Sequence, residues 1–393
     1  MRNVPKLRFK EFNGEWEKLN AEEIFKNISN KNHNGDLPIL AVTQDKGVVY
    51  RDSLDLKINS SETGIKNYKI IESGDFVISL RSFQGGIEYS SILGISSPAY
   101  TVLKPKIEIS DFFYKVYLKK ESFISELNST IEGIRDGKQI SYAMFSKLKL
   151  PYTKVEEQQK IADFLSSVDK KIAITEEKLD LFKDYKKGVM QKIFNQELRF
   201  KDCEGNNYPE WEEKRLGDFI VEYNEKTTKN NQYPVLTSSR KGIFLQKDYF
   251  AGQDVASEDT TGYNIVPRGY FTYRHMSDDL IFKFNINNIV DNGIVSTLYP
   301  VFTTKNINDI FLKEKLNNGN EFKKYSLFQK QGGSRTYMYL SKLLKLKLFL
   351  PCLEEQQKIA DFLSSIDNKI DNLTSELENL KEFKKGLLQQ MFV

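Results

Sequence analysis

Apolar side chains recur at alternating steps of four and three along two long stretches of this chain. In the first, Ile161, Leu165, Val168, Ile172, Leu179, Phe182, Val189 and Ile193 keep the spacing, with Thr175 and Lys186 as its polar members. In the second, Ile359, Leu363, Ile366, Ile370, Leu373, Leu377, Leu380, Leu387 and Met391 repeat it around Lys384. Lys, Glu and Asp fill most positions between. A seam of this period, sustained for over four heptads, predicts two helices that pack as a coiled coil, each the natural partner of the other. At about 1.5 Å rise per residue, each helix would run on the order of 60 Å.

Elsewhere the period shortens. Leu37–Thr43, Tyr68–Ile71, Asp75–Leu80 and Ala99–Leu103 are β-branched or aromatic runs flanked by Gly, Ser and Asn, and they predict strands. Tyr233–Thr237, Tyr263–Val266, Tyr270–Tyr273 and Leu298–Phe302 answer them in the second half. Helical stretches follow near Asp111 to Asn128 and Asn308 to Phe328. An arm, Leu7-Arg-Phe-Lys10 leading to Trp16, has a counterpart in Leu198-Arg-Phe-Lys201 leading to Trp211. These two tryptophans are expected to anchor each arm in a core.

The two halves are copies. Glu156-Glu-Gln-Gln-Lys-Ile-Ala-Asp-Phe-Leu-Ser-Ser167 returns letter for letter at Glu354 to Ser365, and the offset of 198 residues (Gln356 against Gln158) then holds to Phe194 and Phe392. Such self-similarity divides the chain into repeated units. The expected organisation is a mixed α/β globule over residues 1–153, a long helix over 154–196, a second globule over 197–353 and a second long helix over 354–393. The fold class is α+β with a pseudo-two-fold internal repeat.

Composition narrows the function. Lys and Arg number 58 against 54 acids, a net charge of +4, which permits a nucleic-acid partner without requiring one. Cys203 and Cys352 lie outside any metal-ligand spacing, which fits a reducing compartment. The charged first ten residues and the absence of a long apolar run point to a cytoplasmic protein without a membrane span. No phosphate-binding glycine loop is present. His33 and His275 are the only histidines and occupy unmatched positions, so neither a zinc site nor a His-based triad is expected. The chain reads as non-catalytic, with no metal or cofactor of its own.

What remains is basic, polar and aromatic residues at comparable places in both halves. Arg81, Ser82 and Gln84 follow the run after Gly74, and Arg274 and His275 follow the run after Gly269. Both arginines stand an odd number of residues past their glycine, which would place them on the same face of a strand. Arg suits the O6/N7 edge of guanine and Gln that of adenine; each Arg reads equally well as a surface salt-bridge partner. A second pair of loops carries Arg135, Lys138 and Gln139 in one half and Arg335, Thr336 and Tyr337 in the other. Glycines and donors there suit phosphate contact, or a tight turn whose Arg caps a neighbouring element.

The twice-occurring Glu-Trp arm, Gly-x-Arg loop, Leu-Pro, Glu-Gln-Gln-Lys-Ile and long helix resemble the specificity subunit of type I restriction-modification systems. The resemblance covers essentially the whole chain. It implies two target-recognition domains, each reading half of a bipartite, asymmetric double-stranded DNA site, with the two antiparallel helices setting the spacer. It further implies docking of two methyltransferase subunits, which carry S-adenosylmethionine, and of restriction subunits that use ATP and Mg2+. Glu157, Gln158, Ile161 and Phe164, with Glu355, Gln356, Ile359 and Phe362, are the residues through which that docking would run. A stand-alone DNA-binding regulator with two unlike reading domains is the alternative.

Overall fold

The computed structural model describes residues 3–44, 46–54, 62–129, 140–251, 256–330 and 335–393. Its chain divides into two compact units, residues 1–176 with 375–393 and residues 177–374. The divisions fall inside the two long helices, Val155–Phe194 and Leu353–Gln390. Each unit therefore holds one globule, the first half of the helix that follows it and the second half of the other helix.

In unit 1 the central sheet runs Phe25–Ile28, Thr101–Pro105, Phe76–Ile78, Glu88–Tyr89, every pairing antiparallel. Unit 2 builds the same order from Ile220–Tyr223, Val301–Thr304, Phe271–Thr272 and Asn285–Ile286. In both, a left-handed glycine (Gly74, φ 96°; Gly269, φ 86°) makes the turn into the buried strand, a conformation that other residues adopt only at a cost. The short strand after each tryptophan pairs with the strand that leads into the long helix. Glu17–Asn20 lies against Lys149–Tyr152, and Glu212–Arg215 against Lys347–Leu350. The expected strands form, each starting one to three residues later than expected, and four of them, Thr101–Pro105, Leu236–Ser239, Asn264–Pro267 and Val301–Thr304, run past the expected end. Hairpin partners such as Gly47–Tyr50 and Gly242–Leu245 carry no strong pattern and owe their strand state to the ladders opposite them.

Both helical stretches between sheet and long helix break into two, Asp111–Tyr117 with Glu121–Ser129 and Asp309–Asn318 with Asn320–Phe328. Trp16 and Trp211 are buried in their cores, as their arms predict.

The seam holds along its length, since none of its residues in either helix is exposed. Within each unit the two helix halves are antiparallel. Lys384 meets Asp169 at 2.5 Å and Lys171 meets Glu376 at 3.3 Å in unit 1, while Lys186 meets Asp367 at 2.7 Å in unit 2. The polar seam residues Lys186 and Lys384 thus carry matched ion pairs. At its ends the seam leaves the coiled coil. Leu387, Met391 and Phe392 enter the unit 1 core beside Trp16, Phe113 and Tyr117. Val189, Met190, Ile193 and Phe194 do the same beside Trp211 and Phe311 in unit 2. Fully burying such a side chain contributes roughly 1.5–3 kcal/mol, so each globule depends on a helix end supplied from outside its own half of the sequence.

Candidate functional site

The repeated segment at the head of each long helix is turned inward. Glu157 is 1 % exposed and Glu355 is fully buried. Glu157 accepts two hydrogen bonds from the Arg8 guanidinium (2.7 and 2.8 Å) and one from the Thr153 hydroxyl. Glu355 accepts two from Arg199 (3.2 and 2.8 Å) and one from the Trp211 indole (3.1 Å). The neighbouring glutamines, equally buried, hold the residue that caps the first helix after the central sheet. Gln158 accepts from the Ser110 amide and donates to the Thr153 carbonyl, and Gln356 does the same with Asn308 and Pro351. Ile161 and Ile359 lie in the cores, and Phe164 and Phe362 pack edge-on against Phe9 and Phe200 of the arms.

The expectation that docking runs through these eight residues thus meets mostly internal side chains. Six of them are buried and bonded or packed within their own unit, whereas Phe164 and Phe362 are half-buried, and Phe164 lines an open cleft of about 1060 Å3 with Phe9, Glu156 and Lys160. Their identity in both copies follows from a shared internal role, in which a buried carboxylate and amide clamp arm, strand and helix together.

In unit 1 the strand stops at Ile78, three residues short of Arg81. Ser79 and Ser82 end it. The Ser82 hydroxyl accepts from the Ser79 amide (2.8 Å), and the Ser79 hydroxyl accepts from the Arg81 amide (3.2 Å). Such local bonds compete with a ladder. Arg81 caps a single helical turn, Ser82–Gly85, and its exposed guanidinium has no carboxylate partner among the described residues. Ser82 is buried beneath that turn and supports it. Gln84 is exposed and accepts a hydrogen bond from Gln44, which also donates to the Arg81 carbonyl. Arg135, Lys138 and Gln139 lie outside the described residues.

In unit 2 the strand ends at Thr272, so Arg274 is beyond it too. Phe76 opposite Leu103 and Phe271 opposite Phe302 are equivalent ladder positions, which makes Arg274 the counterpart of Ser79 and not of Arg81. The alternation argument therefore fails for both arginines, although both are exposed. A short ladder instead joins the two predicted loops of this unit, with Met276 opposite Tyr337 and Ser277 opposite Thr336. Thr336 is buried in that ladder. Tyr337 stacks on Tyr339 (centroids 5.7 Å apart, planes at 14°), and His275 lies 4.9 Å from Tyr339. Burial holds the His275 imidazole below its usual range, against a hydrogen bond to the Leu298 backbone that favours the charged ring, and nearby Arg274 lowers it further.

Two arginines on this face are braced. Arg335 donates to Asp278 (2.9 Å) and Arg240 to Asp279 (2.6 Å). The Arg240 and Ser277 hydrogen bonds bring the Asp279 carboxyl down to about 2. Arg240, Arg274, Asp278, Lys283 and Tyr299 line a cavity of about 220 Å3. Arg240 and Tyr339 had no signal in the repeat, because the first copy has Gln44 and Ser141 in the matching stretches. Among the described residues no cluster of His, Cys, Asp and Glu could hold a metal ion, and no helix is long and apolar enough to cross a membrane.

A further exposed feature lies on the helices. Tyr185 and Phe383 occupy the same place in the repeat and are 50 % and 53 % exposed, beside Leu181 at 61 %.

Residues 13–182 and 208–382 each match the type I restriction modification DNA specificity domain. The chain is 27 % identical to the type I restriction enzyme MjaVIII specificity subunit of Methanocaldococcus jannaschii, over 97 % of this chain and 94 % of that one. Its fold is similar to that of the type I restriction-modification S subunit from M. genitalium, with a TM-score of 0.57, 15 % identity and 99 % of each chain covered. It is also similar to the HsdS subunit from Thermoanaerobacter tengcongensis, with a TM-score of 0.51, 13 % identity and 96 % of each chain covered.

Proposed function

The chain belongs to the type I restriction-modification DNA specificity family, and on that premise we propose that its two globules read the two halves of a bipartite, asymmetric DNA target. One observation carries this reading. The copies share the Glu, Gln and Arg of their buried clamp, yet their exposed loops differ: Arg81 with Gln84 in one, Arg274, Arg335, Arg240 and two stacked tyrosines in the other. Shared scaffolds with unlike faces serve two different half-sites, whereas a regulator meeting a palindrome would present the same face twice. The recognition domains are residues 1–153 and 197–353, the helices of 154–196 and 354–393 set the unread spacer, and the chain performs no chemistry. S-adenosylmethionine, ATP and Mg2+ belong to partner modification and restriction subunits in the cytoplasm.

Arg81→Ala and Arg274→Ala should each relax discrimination at one position, in different half-sites, by roughly 1–3 kcal/mol for a bidentate base contact. Sequencing of methylated adenines in cells carrying each variant with its methyltransferase reads this out. Uniform weakening at all sequences would instead assign both side chains to phosphates.

Docking is better supported on the outer helix faces than on the buried clamp. Exposed aromatics at equivalent positions offer two like partners the same anchor twice, and buried aromatic anchors dominate most interfaces. Tyr185→Asp and Phe383→Asp should each leave the fold intact and remove one modification subunit from the complex, measured as stoichiometry by native mass spectrometry. Retention of both subunits by the double variant would place docking elsewhere.

A further inference from the structure

We infer that a strip of lysines in unit 1, running from the Gln44 turn to the last turns of the second long helix, is a track for the DNA phosphate backbone beside the half-site that this unit reads. The inference rests on the DNA-reading function proposed above. It starts at the reading loop itself. Gln44 holds the Arg81 carbonyl (3.2 Å) and the Gln84 side chain (3.1 Å) through its amide nitrogen, and its own carbonyl accepts from Lys119 (3.1 Å). From there Lys46, Lys115, Lys119 and Lys384 line an open cleft of about 500 Å3. Lys120, Lys381 and Lys385 continue into a neighbouring one of about 390 Å3, which shares Lys119 and Lys384.

The acids of this strip are already engaged. Glu88 pairs with Lys119, Asp169 with Lys384 and Glu176 with Lys381. Lys46, Lys115, Lys120 and Lys385 have no carboxylate partner among the described residues; Lys115 lies over the Phe112 ring (4.8 Å) and Lys120 over that of Phe392 (5.6 Å). Among the described residues, Glu121 is the one further acid lining the clefts, so with Glu176 beside Lys381 the seven lysines of the strip face four carboxylates.

The residue type decides the ligand. Every cation of the strip is a lysine, a mobile point charge without the planar fork that reads a base edge, whereas the adjoining loop carries arginine and glutamine. Lysines in an open groove, continuous with a reading loop, fit phosphates contacted without regard to sequence. The second copy keeps the helical part of the pattern as Lys183, Lys186 and Lys187, but it has Asn317 and Asn318 where unit 1 has Lys119 and Lys120.

The test is the salt dependence of binding by the full chain to its methylation target and to a duplex of arbitrary sequence. Each lost phosphate contact lowers the slope of log K against log salt by about 0.9. The triple variant Lys46→Gln, Lys115→Gln, Lys385→Gln should therefore flatten the slope by about 2.7 on both duplexes, with base preference and melting temperature unchanged. An unchanged slope overturns the track. So does loss of a modification subunit at unchanged slope, which would make the strip a protein-docking face. If the unaltered chain binds no duplex at all, the DNA-reading proposal fails first, and the two failures are told apart.

Discussion

Replacing Phe392 by alanine should destabilise unit 1 by about 3–5 kcal/mol, the usual cost of emptying a buried aromatic site, while leaving unit 2 almost untouched. Phe392 is 4 % exposed and packs against Phe113 (5.1 Å), Tyr117 (5.7 Å) and Trp16 (6.5 Å). Those three rings belong to the first globule, 275 to 376 residues earlier in the chain. With domain stabilities of roughly 5–15 kcal/mol, the loss would remove a large share of what holds this globule together. Hydrogen exchange distinguishes the outcome. Amide protection should fall across Asp111–Tyr117 and Thr101–Pro105 and persist across Asp309–Asn318. Equal loss in both units, or none, would contradict the assignment of this helix end to unit 1.

The second large effect is expected at Glu355. Its carboxylate is fully buried and satisfies both the Arg199 guanidinium and the Trp211 indole. Glu355→Ala leaves a largely buried cation and an indole N–H without their acceptor, and breaking a buried pair from one side costs about 3–5 kcal/mol. Glu355→Gln keeps an acceptor oxygen of the same shape and should cost clearly less. Denaturant unfolding of both variants decides it. Comparable losses for Ala and Gln would mean that charge, not shape, dominates the clamp; negligible loss for Ala would remove the clamp from the account of stability. The first copy offers a control, since Glu157 binds Arg8 and Thr153, while the Trp16 indole N–H has no partner among the described residues.

The local pattern of the sequence determined much of this architecture. A step of four and three can be satisfied only by a helix with one apolar face, so both long helices and every seam residue were legible from spacing. The strands after Gly74 and Gly269 and the buried tryptophans were legible from neighbouring residues in the same way, and the duplication from the identity of two segments 198 residues apart. Other features depended on residues far apart. Charged and amide side chains usually face water, and nothing near Glu157 announces that a guanidinium 149 residues away will meet it in a core. Only the tertiary structure could turn the repeated Glu-Gln pair from a surface into an internal clamp. It also ended the strands before Arg81 and Arg274, and before Arg81 the Ser79 and Ser82 hydroxyls outweighed alternation. Finally, it decided which core receives each helix end, since an apolar terminus seeks burial and only the assembled globules provide it.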